Sequence, residues 1–255
     1  MIDIKQYAHP LDQQLIDKIF SSAAGKSLVD FIMQNNIDDV CDYALGSSYA
    51  RLPNDSPLYR YLSEGQELFG STQVHSVSVY VTRQYEYEIA YNGYNHPAIL
   101  VPDVLLKRND PDILRARMIA AAAAIAMEHH KLEFLVWLLD TLSGNIPLPL
   151  MPEVVKGFLN EWYRCRYYTT DRAIWLATKD EVLSTRNILY GRIPFEMLDT
   201  FQFGINRYTF FAQVEELRNA CGLGGTASRI LQMLQKESWL PNRYIELTNF
   251  INRKR

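Results

Sequence analysis

Five consecutive residues, Met127-Glu128-His129-His130-Lys131, carry the densest chemistry in the chain. Zinc-dependent hydrolysis on a helix asks for two His at i and i+4, so that both face one ion. It also asks for a Glu at i+1 to activate the bound water and a third ligand from another helix. Here the Glu is present, but the two His are adjacent, and adjacent residues point about 100° apart around a helix. Three arrangements stay open: a metal site, the remains of one, or an ordinary buried helix. His129 and Glu133 are four apart and could share a metal in a shifted site, on a different face from Glu128 and Lys131. His9, His75 and His96 have no metal-like spacing, and the plainer reading of His129 and His130 is as solvated or core-edge side chains.

The elements around this stretch are mostly helical. Asp110-Pro111 offers an N-cap followed by Pro at the first helical position, which predicts one helix to about Leu142, where Ser143-Gly144-Asn145 stops it. A second long helix is expected from Glu153 to about Thr178. Shorter ones fit Pro194 to Leu198, Thr209 to Ala220, Ala227 to Lys236 and Pro241 to Asn252. Upstream, apolar spacing of three and four predicts two amphipathic helices over Pro10 to Leu45, a loop over 46–57, and a short helix from Leu58 to Phe69 ending at Gly70. Between Val74 and Val101 the period changes to two, with a turn at Asn92-Gly93, which predicts three strands in a small antiparallel sheet. The fold class expected is therefore α+β, mostly helical. One domain spans residues 1–255, divided into N-terminal helices (1–70), the sheet (74–101), two long helices (110–180) and C-terminal helices (181–255).

Several segments together are similar to the HtpX-like zinc metallopeptidases, the group that includes the CAAX prenyl proteases, and in particular to its soluble bacterial branch. His96-Pro97-Ala98-Ile99-Leu100-Val101-Pro102 resembles the family's strand and its exit, and Asp112 to Ala116 the start of its active-site helix. Ile125-Ala126-Met127-Glu128 resembles the family signature. Glu161-Trp162-Tyr163 through Thr170-Asp171-Arg172-Ala173 to Asp180 is the most specific match, and Tyr7-Ala8-His9-Pro10-Leu11-Asp12 looks like the start of the soluble subgroup. The resemblance covers nearly the full length and implies a gluzincin-like metallopeptidase fold.

In the frame of that resemblance, Met127 and Lys131 occupy the two zinc-ligand His positions and Tyr167 the third-ligand position. The general-base Glu is kept as Glu128, and the Asp that supports the family's metal ligands from behind as Asp171, while the family's His-Pro before the last helix appears as Leu240-Pro241. A thioether is too soft for catalytic zinc, an ammonium has no lone pair, and a phenol is a poor ligand at neutral pH. No cofactor is expected, zinc included, and family-type peptide hydrolysis should be absent because no bound water is acidified for Glu128. A buried Glu128 without a metal needs a counter-charge. Lys131 is the expected stand-in, capped by the Tyr167 hydroxyl; otherwise both side chains reach solvent and pair weakly. Asp171 and Arg172 also read simply as salt-bridge formers.

The resemblance implies a pseudoenzyme that binds a protein or extended peptide along the sheet edge at Tyr87, Ile89, Tyr91 and Asn92. A zinc endopeptidase with a rearranged site, or an assembly protein forming an oligomer, are the alternatives. The chain's 16 Tyr could line a retained groove or fill a tyrosine-rich core. A formal charge of −3 with no basic block beyond Arg253-Lys254-Arg255 argues against nucleic-acid binding. No apolar run reaches the ~20 residues of a membrane span, and the first residues lack the pattern of a secretory leader, so no membrane insertion and a cytoplasmic location are expected. Cys41, Cys165 and Cys221, odd in number and far apart, suggest thiols rather than disulfides.

Overall fold

Several helix starts fall where the sequence offers an oxygen or nitrogen to an orphan backbone N–H. In the computed structural model, which describes residues 1–70, 76–83, 88–142, 153–190, 207–221 and 240–255, Asp3 caps α1 (Ile4–Tyr7) and the His9 ring caps α2 (Pro10–Ser21). Ser22 caps α3 (Ala23–Gln34), and α4 (Ile37–Ser48) follows Asn36, which sits at φ 50°. The two helices expected over Pro10 to Leu45 are thus three. The left-handed Asn36 breaks the second, a backbone state that Asn tolerates better than most residues.

The expected loop over 46–57 is shorter than its composition suggested. Its first residues finish α4, and Ala50–Arg51 form β1; α5 (Pro57–Phe69) then starts from Ser56 and closes on Gly70 at φ 67°. The strands β2 (Ser78–Thr82), β3 (Ala90–Asn92) and β4 (Ala98–Pro102) complete one sheet in the order β1-β2-β4-β3. It is mixed, not antiparallel: β2 and β4 run parallel with Val79 opposite Ile99, whereas β1–β2 and β3–β4 are antiparallel. The cause lies in β4, every residue of which is buried. An all-apolar strand belongs in the middle of a sheet, so the chain runs out to β3 at the edge and turns back through Gly93. That residue has φ 82°, and a Cβ on it would lie 2.1 Å from the His96 carbonyl oxygen.

After α6 (Asp103–Arg108) come α7 (Pro111–Ala126), α8 (His129–Leu142) and the 26-residue α9 (Glu153–Thr178). They are followed by α10 (Glu181–Leu189), α11 (Arg207–Cys221) and α12 (Leu240–Lys254). The alanine run has a packing cause. Ala120 to Ala124 are all buried, with α5, α9 and α10 packed around α7, and a helix apolar on all sides belongs inside. At Gly65 on α5 an added Cβ would lie 2.7 Å from that of Ala122, so these two helices meet closely enough to require small residues. The expected helices at Pro194 to Leu198 and Ala227 to Lys236 lie outside the described residues, as do Tyr87 and His75. No helix among the described residues is long and apolar enough to cross a membrane.

Candidate functional site

The helix expected to run unbroken from Asp110 to Leu142 is two helices, and the break falls on the signature itself. Met127 N–H closes α7 on the Ala123 carbonyl, and Glu128 N–H bonds Ile125 at 2.9 Å. Glu128 then turns to φ 61°, a left-handed state that costs a non-glycine residue about 1–2 kcal/mol. Its own carbonyl accepts from Lys131 N–H at 3.0 Å, starting the first turn of α8. Met127 is therefore buried beneath the turn, while the Glu128 side chain is carried outward and is 50% exposed.

Lys131 does pair with Glu128, Nζ to Oε1 at 2.5 Å, with its ammonium 5.3 Å above the Tyr94 ring. This is a surface pair, not the buried compensation expected of it, because Glu128 was never desolvated. Nor does Tyr167 cap it: the Tyr167 hydroxyl accepts from Arg166 Nη2 at 2.6 Å. Tyr167 is itself buried, and burial pushes its phenol up, away from the phenolate a metal would need.

The charges that are desolvated lie elsewhere. Asp171, buried on α9, receives both Nε and Nη2 of Arg243 at 2.9 and 2.7 Å in a bidentate pair. Arg243 Nη1 reaches Glu88 at 2.7 Å, and the other oxygen of Glu88 accepts from Arg117 at 3.0 Å. The Arg243 guanidinium also lies 4.4 Å from the centre of the Tyr167 ring. Burial alone would lower it, but Asp171 and Glu88 hold it above the usual arginine range. A second pair, Arg166 and Glu133 at 3.3 Å, sits beside it, and the remaining Glu133 oxygen accepts the Tyr91 N–H at 2.8 Å. Four arginine and carboxylate positions from α7, α9, α12 and the segment before β3 thus form one chain of alternating charge, with the Arg166–Glu133 pair alongside.

The two adjacent histidines, His129 and His130, are not solvated. His129 is 1% exposed and donates Nε2–H to Asp12 at 2.9 Å; Asp12 also accepts from Trp162 Nε1 at 2.9 Å and from the Thr169 hydroxyl. A metal shared by His129 and Glu133 would have to displace Asp12 from one and Tyr91 and Arg166 from the other. His130 is buried too, and desolvation, aided by Lys131 and His129, pushes its imidazole down to about 3. Among the described residues no three His, Cys, Asp or Glu side chains are grouped to hold a metal. The donor set at the ligand positions, a buried thioether, an ammonium held by a carboxylate and a protonated phenol, does not fit zinc.

At the sheet edge, Ile89, Tyr91 and Asn92 are buried. Strand β3 is an edge strand, yet its Tyr91 N–H is spent on Glu133 and the Asn92 Oδ1 accepts from Gly93 N–H at 2.7 Å. An incoming strand would find that Tyr91 donor already taken. Open space lies instead beside the Glu128 turn, in a cleft of about 540 Å³ lined by Ile16, Phe20, Val29 and Met127 with Asp17, Asp30 and Glu128 among its polar groups.

Reading the residues missed Arg243, Arg166, Arg117 and Glu88. A signal existed for the arginines: Arg243 is in phase with Leu247 and Phe250, Arg166 with Leu159 and Trp162, and Arg117 with Ile113 and Ala121. A guanidinium on an apolar stripe is a buried charge awaiting a partner. Compared with known proteins, the chain matches no family model, no curated protein and no solved structure.

Proposed function

We propose that the chain is a non-hydrolytic protein on a metallopeptidase-like plan, which binds another protein or an extended peptide rather than cleaving it. One observation carries the reading. At the positions the resemblance assigns to the metal shell, Asp171 and Tyr167, the positive charge is supplied by the fully buried Arg243 from α12. A buried guanidinium cannot polarise a carbonyl and also make a water acidic as zinc does, and its hydrogen bonds to Asp171 and Glu88 are already made. Glu128, the position of the general base, faces solvent and holds Lys131.

The cleft beside Glu128 suits a segment with apolar side chains flanked by basic ones. Its floor is apolar, and Asp17, Asp30 and Glu128 face it against the single cation Lys26 among the described lining residues. Panning a displayed peptide library on the purified protein is expected to enrich that pattern, and Phe20→Asp should abolish the enrichment. Near-stoichiometric zinc in protein purified without added metal, together with cleavage of casein, would replace this reading with a peptidase.

A further inference from the structure

A second cleft, of about 750 Å³, opens between the start of α2 and the last turns of α12, and shares no described lining residue with the first. Lys5, Arg172, Arg253 and Lys254 line it, against Glu246 as the one carboxylate among the described lining residues. Helix chemistry accounts for part of this: Arg253 Nε donates to the Asn249 carbonyl, and cations favour a helix C-terminus. It does not account for Lys5 and Arg172, which come from other helices.

Arg172 is the informative residue. Its side chain is 5% exposed, Nη2 lies a long 3.5 Å from Glu246, Nη1 donates to the Ala8 carbonyl at 3.3 Å, and Nε makes no hydrogen bond. Glu246 is itself shared, since His9 Nε2 approaches it at 3.2 Å. Arg243, still more deeply buried, has three carboxylate oxygens at 2.9 Å or less. Arg172 is thus held by one long carboxylate contact, one carbonyl and the Phe250 ring 4.8 Å away, and has fewer anionic oxygens around it than Arg243. Burial pushes the Arg172 guanidinium down to about 10, with Glu246 opposing the shift and Arg253 adding to it, and at neutral pH it stays charged.

We propose that this cleft binds a phosphate monoester carried on a small molecule, with Arg172 at its base and Lys5 and Lys254 at its mouth. A phosphoryl group brings up to two negative charges and three acceptor oxygens, which match a planar guanidinium flanked by ammonium groups better than one carboxylate does. The cleft is far larger than a phosphate, and the exposed Asn249 and Asn252 amides offer hydrogen bonds to the body of the ligand.

Calorimetric titration of the full chain with glycerol 2-phosphate at constant ionic strength tests this, with glycerol as the neutral control. Saturable binding to the phosphate ester alone is expected. Lys5→Glu combined with Lys254→Glu, both at exposed positions, should weaken it about tenfold or more at an unchanged melting temperature. Arg172→Met should abolish it, and is scored only if its melting curve stays cooperative. Absence of saturable binding in the wild-type chain, or equal affinity in the doubly substituted chain, would overturn the proposal. So would binding to vesicles containing phosphatidylinositol phosphate with no response to the soluble ester, because that would make the source a lipid headgroup.

Discussion

The interior around Arg243 and the surface turn at Glu128 handle charge in opposite ways. Inside, Arg243, Asp171, Glu88 and Arg117 are all 10% exposed or less and are joined by ion pairs of 2.7 to 3.0 Å. At the turn, Glu128 and Lys131 form a shorter contact in far more water, with side chains 50% and 23% exposed. The shorter bond is the weaker contributor, since water screens it and already solvates both ends. The buried chain contributes little over an apolar core of the same shape, yet removing any one member strands a charge. Contact distance alone would rank the two regions the wrong way round.

Substitutions in the two regions should differ in cost. Glu88→Ala leaves Arg117 and Arg243 without their shared carboxylate and is expected to cost about 3–5 kcal/mol in urea unfolding. Asp12→Ala removes one acceptor from His129, Trp162 and Thr169 together, and should cost about 3 kcal/mol by the same measurement.

His130 adds a pH test. Its imidazole is held down at about 3 in the folded chain against 6.5 when free, so between these values the unfolded chain binds the extra proton and stability falls as the pH falls. At about pH 5 this amounts to about 2 kcal/mol. The acid limb of a stability-against-pH curve should therefore flatten in His130→Leu. At the small end, Lys131→Ala should change stability by less than about 1 kcal/mol, and less still in high salt. A loss there comparable with Glu88→Ala would mean the two regions are not different in kind.

Helix ends were legible because caps are local. Asp110-Pro111, Gly70 and the start of α9 at Glu153 could all be read from neighbouring residues, and so could the mostly helical class. The break at Glu128 was not, because nothing in Met127-Glu128-His129 disfavours a helix. The surrounding packing holds Glu128 in a state its own propensity opposes. Sheet order needed β4 to be weighed as a central strand rather than as the third in sequence. Asp171 and Tyr167 were found as positions, but their partner Arg243 lies 72 residues from Asp171, a distance over which local spacing carries no information. Tyr7, His9 and Asp12 were singled out only for their resemblance. In the fold, Tyr7 donates to the Ala123 carbonyl, His9 meets Thr169 and Glu246, and Asp12 receives His129.

A guanidinium from α12 balances the carboxylates of this core. Unfolding of Arg243→Met, with and without added zinc, tests it most directly. A loss of about 3–5 kcal/mol against the wild-type chain, which zinc does not restore, is expected. An Arg243→Met chain as stable as the wild type, or one returned to full stability by zinc, would contradict it.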